Sequence, residues 1–190
     1  MSFMRLLMLL LCITATSSLA SDLQSRDARD YFFTLSFGDL PEELQLASDE
    51  GKLGMLLFFE ADECPYCEHM IEHVFNQRSV QDWYGKRFVS ISIDLHGDVE
   101  VKDFDGISLS TKNFSKQSNV FVTPVIAFID LNGQEIYRHV GMIKTTQEFL
   151  LLGEFVAGGQ YRDMDYDRFR ESRGHHNSDE ALTTPGPTDD

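Results

Sequence analysis

No run of Lys or Arg occurs anywhere in the 190 residues, and 16 basic side chains stand against 31 acidic ones, a formal charge of −15. A protein that grips nucleic acid must neutralise phosphates with clustered cations, so that class is excluded and partners are expected among proteins or small molecules. Beyond residue 20 the chain also lacks any apolar stretch near the roughly 20 residues that a bilayer span requires. Internal repeats and long linkers are missing too, which leaves one globular domain as the reading. Cysteine is scarce, three in all, and Trp83 is the single tryptophan. What is present is apolar material: hydrophobic residues make up 42%, with 15 Phe and 6 Tyr. That suffices for a packed core and is too much for a disordered chain.

The ends differ from the middle. Residues 1–20, MSFMRLLMLLLCITATSSLA, carry a lone Arg5, an apolar run from Leu6 to Thr14 and small residues up to Ala20, the pattern of a secretory signal peptide. Cys12 would be discarded with it, and Leu9, Leu10 and Leu11 ahead of it lack the small residue of a lipoprotein cleavage site. The mature chain, beginning near Ser21, is expected in an oxidising compartment with two cysteines, Cys64 and Cys67. Residues 174–190 are polar and carry two prolines, and read as a disordered tail. Its His175-His176 pair has no fixed geometry for a metal. The fold is therefore expected within 21–173.

Asp39-Leu40-Pro41-Glu42-Glu43 looks like a capped helix start with the helix over Glu42 to Ser48. Upstream, Phe32, Phe33, Leu35 and Phe37 supply apolar surface in a helical or irregular stretch. Met55 to Phe59 is a continuous apolar run of the kind that a fully buried strand shows. A helix is predicted from Cys64 to Asn76 and a second strand over Phe88 to Ile93. Asp105-Gly106 marks a hairpin between Val101 and Leu109, and Thr111 to Ser118 a short helix. Asp130-Leu131-Asn132-Gly133 marks a stronger hairpin joining Pro124–Ile129 to Glu135–Val140. A last helix, Thr145 to Val156, turns Phe149, Leu150, Leu152 and Phe155 inward. This order describes an α/β fold with a mixed central sheet, an N-terminal helical extension and a hairpin insertion.

Cys64-Pro65-Tyr66-Cys67 follows a buried-type strand and opens an amphipathic helix, the context that gives a CxxC its redox meaning. Cys67, Met70, Ile71 and Val74 share the inward face; Glu68, His69, Glu72 and His73 share the other. Cys64 falls at the cap and Pro65 at the first helical residue, where its missing N–H leaves nothing unpaired. The Cys64 sulfur then faces free N–H groups and the positive helix end, which favours the thiolate. Cys64 is thus the attacking sulfur and Cys67 the one that resolves a mixed disulfide. Rival readings are a purely structural disulfide, a zinc site built from Cys64, Cys67, His69 and His73, and a glutathione-dependent enzyme suggested by the Pro-Tyr dipeptide. The small ring, the opposed faces of the cysteine and histidine side chains, and the acidic, exported chain weigh against each in turn.

Val122-Thr123-Pro124 precedes the strand PVIAFI. A cis Pro124 would set the Thr123 backbone beside Cys64, open to an extended substrate peptide.

With these residues in place the chain resembles the thioredoxin superfamily over about Gly54 to Val156, through FFEADECPYC, VTP, PVIAFIDLNGQEIYRHVG and QEFL. YFF…FGDLPEEL, VSISIDLHGDVEVKDFDG and EFLLLGEFVAGGQY extend the likeness to the SoxW-type exported thioredoxins. That resemblance implies a thioredoxin fold, cis-Pro124, and a periplasmic thiol-disulfide reductase whose cofactor is none beyond the Cys64–Cys67 disulfide. It also implies disulfide-bearing periplasmic partners, some tied to sulfur-compound oxidation, and a membrane thiol transporter of the CcdA/DsbD type as electron donor. The protein is expected to act as a monomer. An oxidase or isomerase of the same fold, or a non-catalytic binding module, are the alternatives. One departure from ordinary thioredoxin concerns protons: Phe58 stands where the buried strand Asp is usual. Glu60, two residues on, is the candidate substitute, a half-buried carboxyl suited to proton exchange; the competing reading places Glu60, Asp62 and Glu63 on a solvated acidic rim. Pro65, Tyr66, Thr123 and Pro124 are the candidate substrate-binding residues.

Overall fold

The structure is a computed structural model that describes residues 25–173. The expected signal peptide and tail lie outside the described residues. In chain order the first half contains α1 (Ala28–Tyr31), α2 (Leu40–Asp49), β1 (Gly54–Glu60), α3 (Pro65–Met70), a π-helical turn (Ile71–Phe75), α4 (Arg78–Gly85) and β2 (Phe88–Asp94). There follow β3 (Glu100–Lys102), β4 (Ser108–Ser110), α5 (Thr111–Gln117), β5 (Val125–Asp130), β6 (Glu135–Val140), α6 (Thr146–Ala157), a 3₁₀ turn (Gln160–Arg162) and α7 (166–173).

Strands as apolar as β1 and β5 have no polar face to give to water and need a layer on each side. They lie at the centre of a sheet ordered β2-β1-β5-β6, in which β1 runs parallel to β2 and antiparallel to β5, and β5 antiparallel to β6. Leu56, Phe58, Ile126 and Phe128 point to one face, where Cys67, Met70, Val74, Tyr84, Phe149 and Phe155 cover them. Met55, Leu57, Val125 and Ala127 point to the other, under Leu40, Leu44 and Ala47 of α2 and Phe114 of α5. The β3–β4 hairpin is a separate two-stranded ladder. It is tied to the start of α2 by an isolated bridge between Asp39 and Lys102 and by the ion pair of those two side chains. The mixed sheet, the helices on both faces and the hairpin insertion agree with the sequence reading.

The turn chemistry follows the residues. Asp39 caps α2 by accepting from the Glu42 N–H at 3.1 Å, with Pro41 in the first turn. Gly133 takes φ +77 in the β5–β6 hairpin, and Asp130 accepts the N–H groups of Asn132 and Gln134 at 2.9 Å each.

Three expectations are corrected. The predicted helix from Cys64 to Asn76 is α-helical only to Met70 and then widens into the π turn. Widening the turn lets the consecutive Val74 and Phe75 both reach zero exposure, which regular 3.6-residue spacing from Met70 would not. Next, 78–85, left without an element in the sequence reading, is the helix α4, and α7 follows the last predicted helix. Finally, Phe32 and Phe33 are buried but Leu35 and Phe37 are 82% and 92% exposed. The Thr34 N–H donates to the Ser90 carbonyl at 2.8 Å on the β2 edge, and the chain then leaves that edge with Leu35 and Phe37 outward.

Candidate active site

β1 ends at Glu60, and three residues, Ala61 to Glu63, carry the chain to Cys64 at the cap of α3. Glu63 sits at φ +59, a left-handed conformation unusual for a residue with a Cβ, and so turns the chain sharply into the helix. Cys64 and Cys67 form a disulfide with Cα atoms 5.3 Å apart. The Cys67 N–H donates to the Cys64 sulfur at 3.2 Å, and Pro65 occupies the first helical turn. Cys67 is 2% exposed, whereas Cys64 is half-buried and Tyr66 lies open to solvent. The two cysteines therefore differ in exposure.

The Thr123-Pro124 bond is cis. Antiparallel register pairs Phe59 with Val125, so Pro124 starts β5 at the same end of the sheet at which β1 hands over to the cysteine loop. The Pro124 carbonyl accepts the Gly141 N–H at 2.9 Å, which ties the start of β5 to the end of β6. Thr123 is half-buried, and Phe121 and Val122 before it are exposed.

A cavity of about 480 Å³ opens beside the disulfide, lined by both cysteines and by Glu60. Five further carboxylates share the lining: Asp62, Glu63, Glu68, Glu72 and Asp94. Among the described residues Arg29 is the one cationic side chain in it. Its guanidinium forks onto Glu60: Nη2 donates to Oε2 at 2.8 Å, and Nη1 makes a second, shorter bond to Oε1. Ser92 Oγ, on the neighbouring β2, donates to the same Oε1. The hydrogen bond to Glu60 raises the Arg29 pKa; desolvation opposes this, and the charges of Glu60 and Asp27 reinforce it. The Glu60 side chain is 13% exposed. Phe58, two residues earlier on the same face of the strand, is fully buried against Phe33 and Phe75.

Cys64, Cys67 and Glu60 line the cavity, and Pro65, Tyr66, Thr123 and Pro124 lie outside its lining at the same end of the sheet. His69 and His73 are outside the lining too. The His69 ring nitrogen lies 3.2 Å from the Lys144 carbonyl, and the two imidazoles sit 4.9 Å apart on the outer side of the helix. Arg29 and Ser92 were missed. Each is far from Glu60 in sequence, and neither stands in a local motif, so no pattern along the chain signals the pairing.

None of the curated proteins matches the chain. Among solved structures it is similar to a thioredoxin-fold protein from Helicobacter pylori, with 25% identity, a TM-score of 0.51, and coverage of 68% of this chain and 85% of that one. A thioredoxin from Thermus thermophilus is also similar at 25% identity, with a TM-score of 0.48 and coverage of 64% and 88%. The Thioredoxin-like domain family matches residues 40–157. The paired cysteines at the cap, the cis proline and the sheet order fall inside that span, and the chain belongs to the Thioredoxin-like domain family.

Proposed function

We propose that the chain is an exported thiol-disulfide oxidoreductase that reduces disulfides in partner proteins of the periplasm. One observation carries the reading: the half-buried Cys64 caps α3 and its sulfur accepts the Cys67 N–H, while Cys67 is buried. In the reduced form the Cys64 thiolate attacks one sulfur of a partner disulfide docked along Tyr66 and Thr123-Pro124. A Cys64–partner disulfide forms, and the partner's other sulfur leaves as a thiolate. Cys67 then gives up its proton, with Glu60 as the acceptor across the shared cavity, and its sulfur attacks that of Cys64. The internal disulfide forms and the partner's second sulfur leaves. The partner has gained the two electrons that the Cys64–Cys67 pair has lost; one leaving thiolate takes the Cys67 proton back from Glu60 and the other takes a proton from water.

The acidic lining supports the reducing direction. Carboxylates around Cys64 disfavour its thiolate, and a less stable reduced form is a stronger reductant. Likeness to the SoxW-type sequences suggests partners in sulfur-compound oxidation and re-reduction by a membrane thiol transporter of the CcdA/DsbD type.

The reduction potential tests the direction. A value of about −270 mV is expected, and about −120 mV would reassign the protein as an oxidant. Cys67→Ser should trap partner proteins as mixed disulfides in periplasmic extract; no trapped species would leave a non-catalytic binding module. The exported protein should begin near Ser21 on N-terminal sequencing.

A further inference from the structure

The Arg29–Glu60 pair joins two parts of the chain that the family match does not join. Glu60 ends the central strand inside the matched span, whereas Arg29 belongs to the short α1 that precedes it. Packing fixes that segment in place. Ala28, Phe32 and Phe33 are buried in the same core cluster as Cys67, Phe32 stacks on Phe75 at 4.4 Å, and the Arg29 guanidinium lies 5.7 Å from the Phe33 ring centre. A further anchor is the Arg26 side chain, which donates to Gln81 at 2.7 Å and pairs with Asp82 on α4. The extension thus holds a cation at the wall of the redox cavity.

We propose that Arg29 is a positioning residue for the redox pair: its forked guanidinium holds the Glu60 carboxylate at the cavity wall and supplies the cationic half of an ion pair that sets how much thiolate Cys64 carries once reduced. The two charges act on the sulfur in opposite senses, so the thiolate depends on the balance between them. Removing one half exposes the other. Facing the sulfur besides this pair are Asp62 and Glu63 of the preceding loop, Glu68 on α3, Glu72 on the π turn and Asp94 at the end of β2, all anionic when ionised. Arg29 and Glu60 line the same cavity as both cysteines, where an uncompensated charge is felt by the sulfur.

This inference rests on Cys64 being the reactive sulfur, and its test needs no partner protein. Titrating the protein in a Cys67→Ser background by the ultraviolet absorbance of its thiolate reads Cys64 without the second sulfur. Arg29→Gln, which leaves the Glu60 charge bare, should raise the midpoint by roughly half a unit to one unit, a threefold to tenfold loss of thiolate below it. Glu60→Gln, which leaves the Arg29 charge bare, should lower the midpoint by a similar amount. Arg29→Lys keeps the charge and should restore most of the parental curve. Opposite signs are the signature, because damage to packing alone would not move the two variants in opposite directions. Curves that superimpose on the parent, or shifts of one sign for both, would overturn the role of Arg29 even if the protein proves an active reductase. Shifts of opposite sign with no reductase activity would uphold it and sink the proposed function instead.

Discussion

The Cys67 N–H points at the Cys64 sulfur from 3.2 Å while the Cys67 side chain is closed off at 2% exposure. One residue of the pair thus supports the charge of the other and is itself kept from solvent. An anionic sulfur at a helix start gains from the free N–H groups there, and a buried thiol gains nothing comparable. Limited iodoacetamide treatment of the reduced protein is therefore expected to label Cys64 roughly tenfold or more faster than Cys67. Peptide mass mapping reads the ratio, and equal labelling would contradict the assignment of roles.

Phe58 tests whether the site under the cysteines tolerates a carboxyl. Its ring is fully buried, 4.9 Å from that of Phe75 and 5.8 Å from that of Phe33. Phe58→Asp removes those contacts and puts a carboxyl among buried aromatic rings. A loss of about 4 kcal/mol or more in the free energy of unfolding is expected. Urea unfolding of the oxidised protein measures it. A loss below about 1 kcal/mol would mean that the pocket admits water or a counter-ion, and Glu60 would then cease to be the natural place for the proton.

What was legible in the sequence is what short-range rules control. Asp39 before Leu40-Pro41 announced a cap, Gly133 a left-handed turn, and the cysteine pair after an apolar strand announced both its own cap and its inward member. The helix Arg78–Gly85 escaped because its buried face includes Gln81, whose side-chain amide donates to the carbonyls of Arg26 and Phe75 at 3.0 Å each. A polar residue spent on the core looks in sequence like a residue facing water. The exposed Leu35 and Phe37 erred the other way, since apolar type alone does not say which residues leave the β2 edge. For the site, the CxxC and the Thr-Pro pair name Cys64, Cys67 and Pro124 as candidates. They could not supply Arg29, whose meeting with Glu60 is set by the packing of Phe32 and Phe33 rather than by spacing.

Asp103 links the inserted hairpin to the rest of the domain and makes stability depend on pH. Desolvation pushes its pKa up, but the N–H groups of Ile107, Asp105 and Gly106 and the Gln117 side chain outweigh this, and the net shift is downward. Ile107 donates at 2.8 Å, Asp105 at 3.0 Å and Gln117 at 2.8 Å. A carboxylate whose folded value is depressed contributes stability that is fully present above its unfolded pKa, near 4, and is lost as the pH falls through the lower folded value. Asp103→Asn keeps an oxygen for the N–H groups but turns an amide donor toward Gln117. The variant should therefore unfold at lower urea than the parent at neutral pH, and the gap should narrow as the pH drops toward about 3. A gap that stays constant over that range would show that the charge on Asp103 contributes nothing and that its hydrogen-bonding shape alone matters.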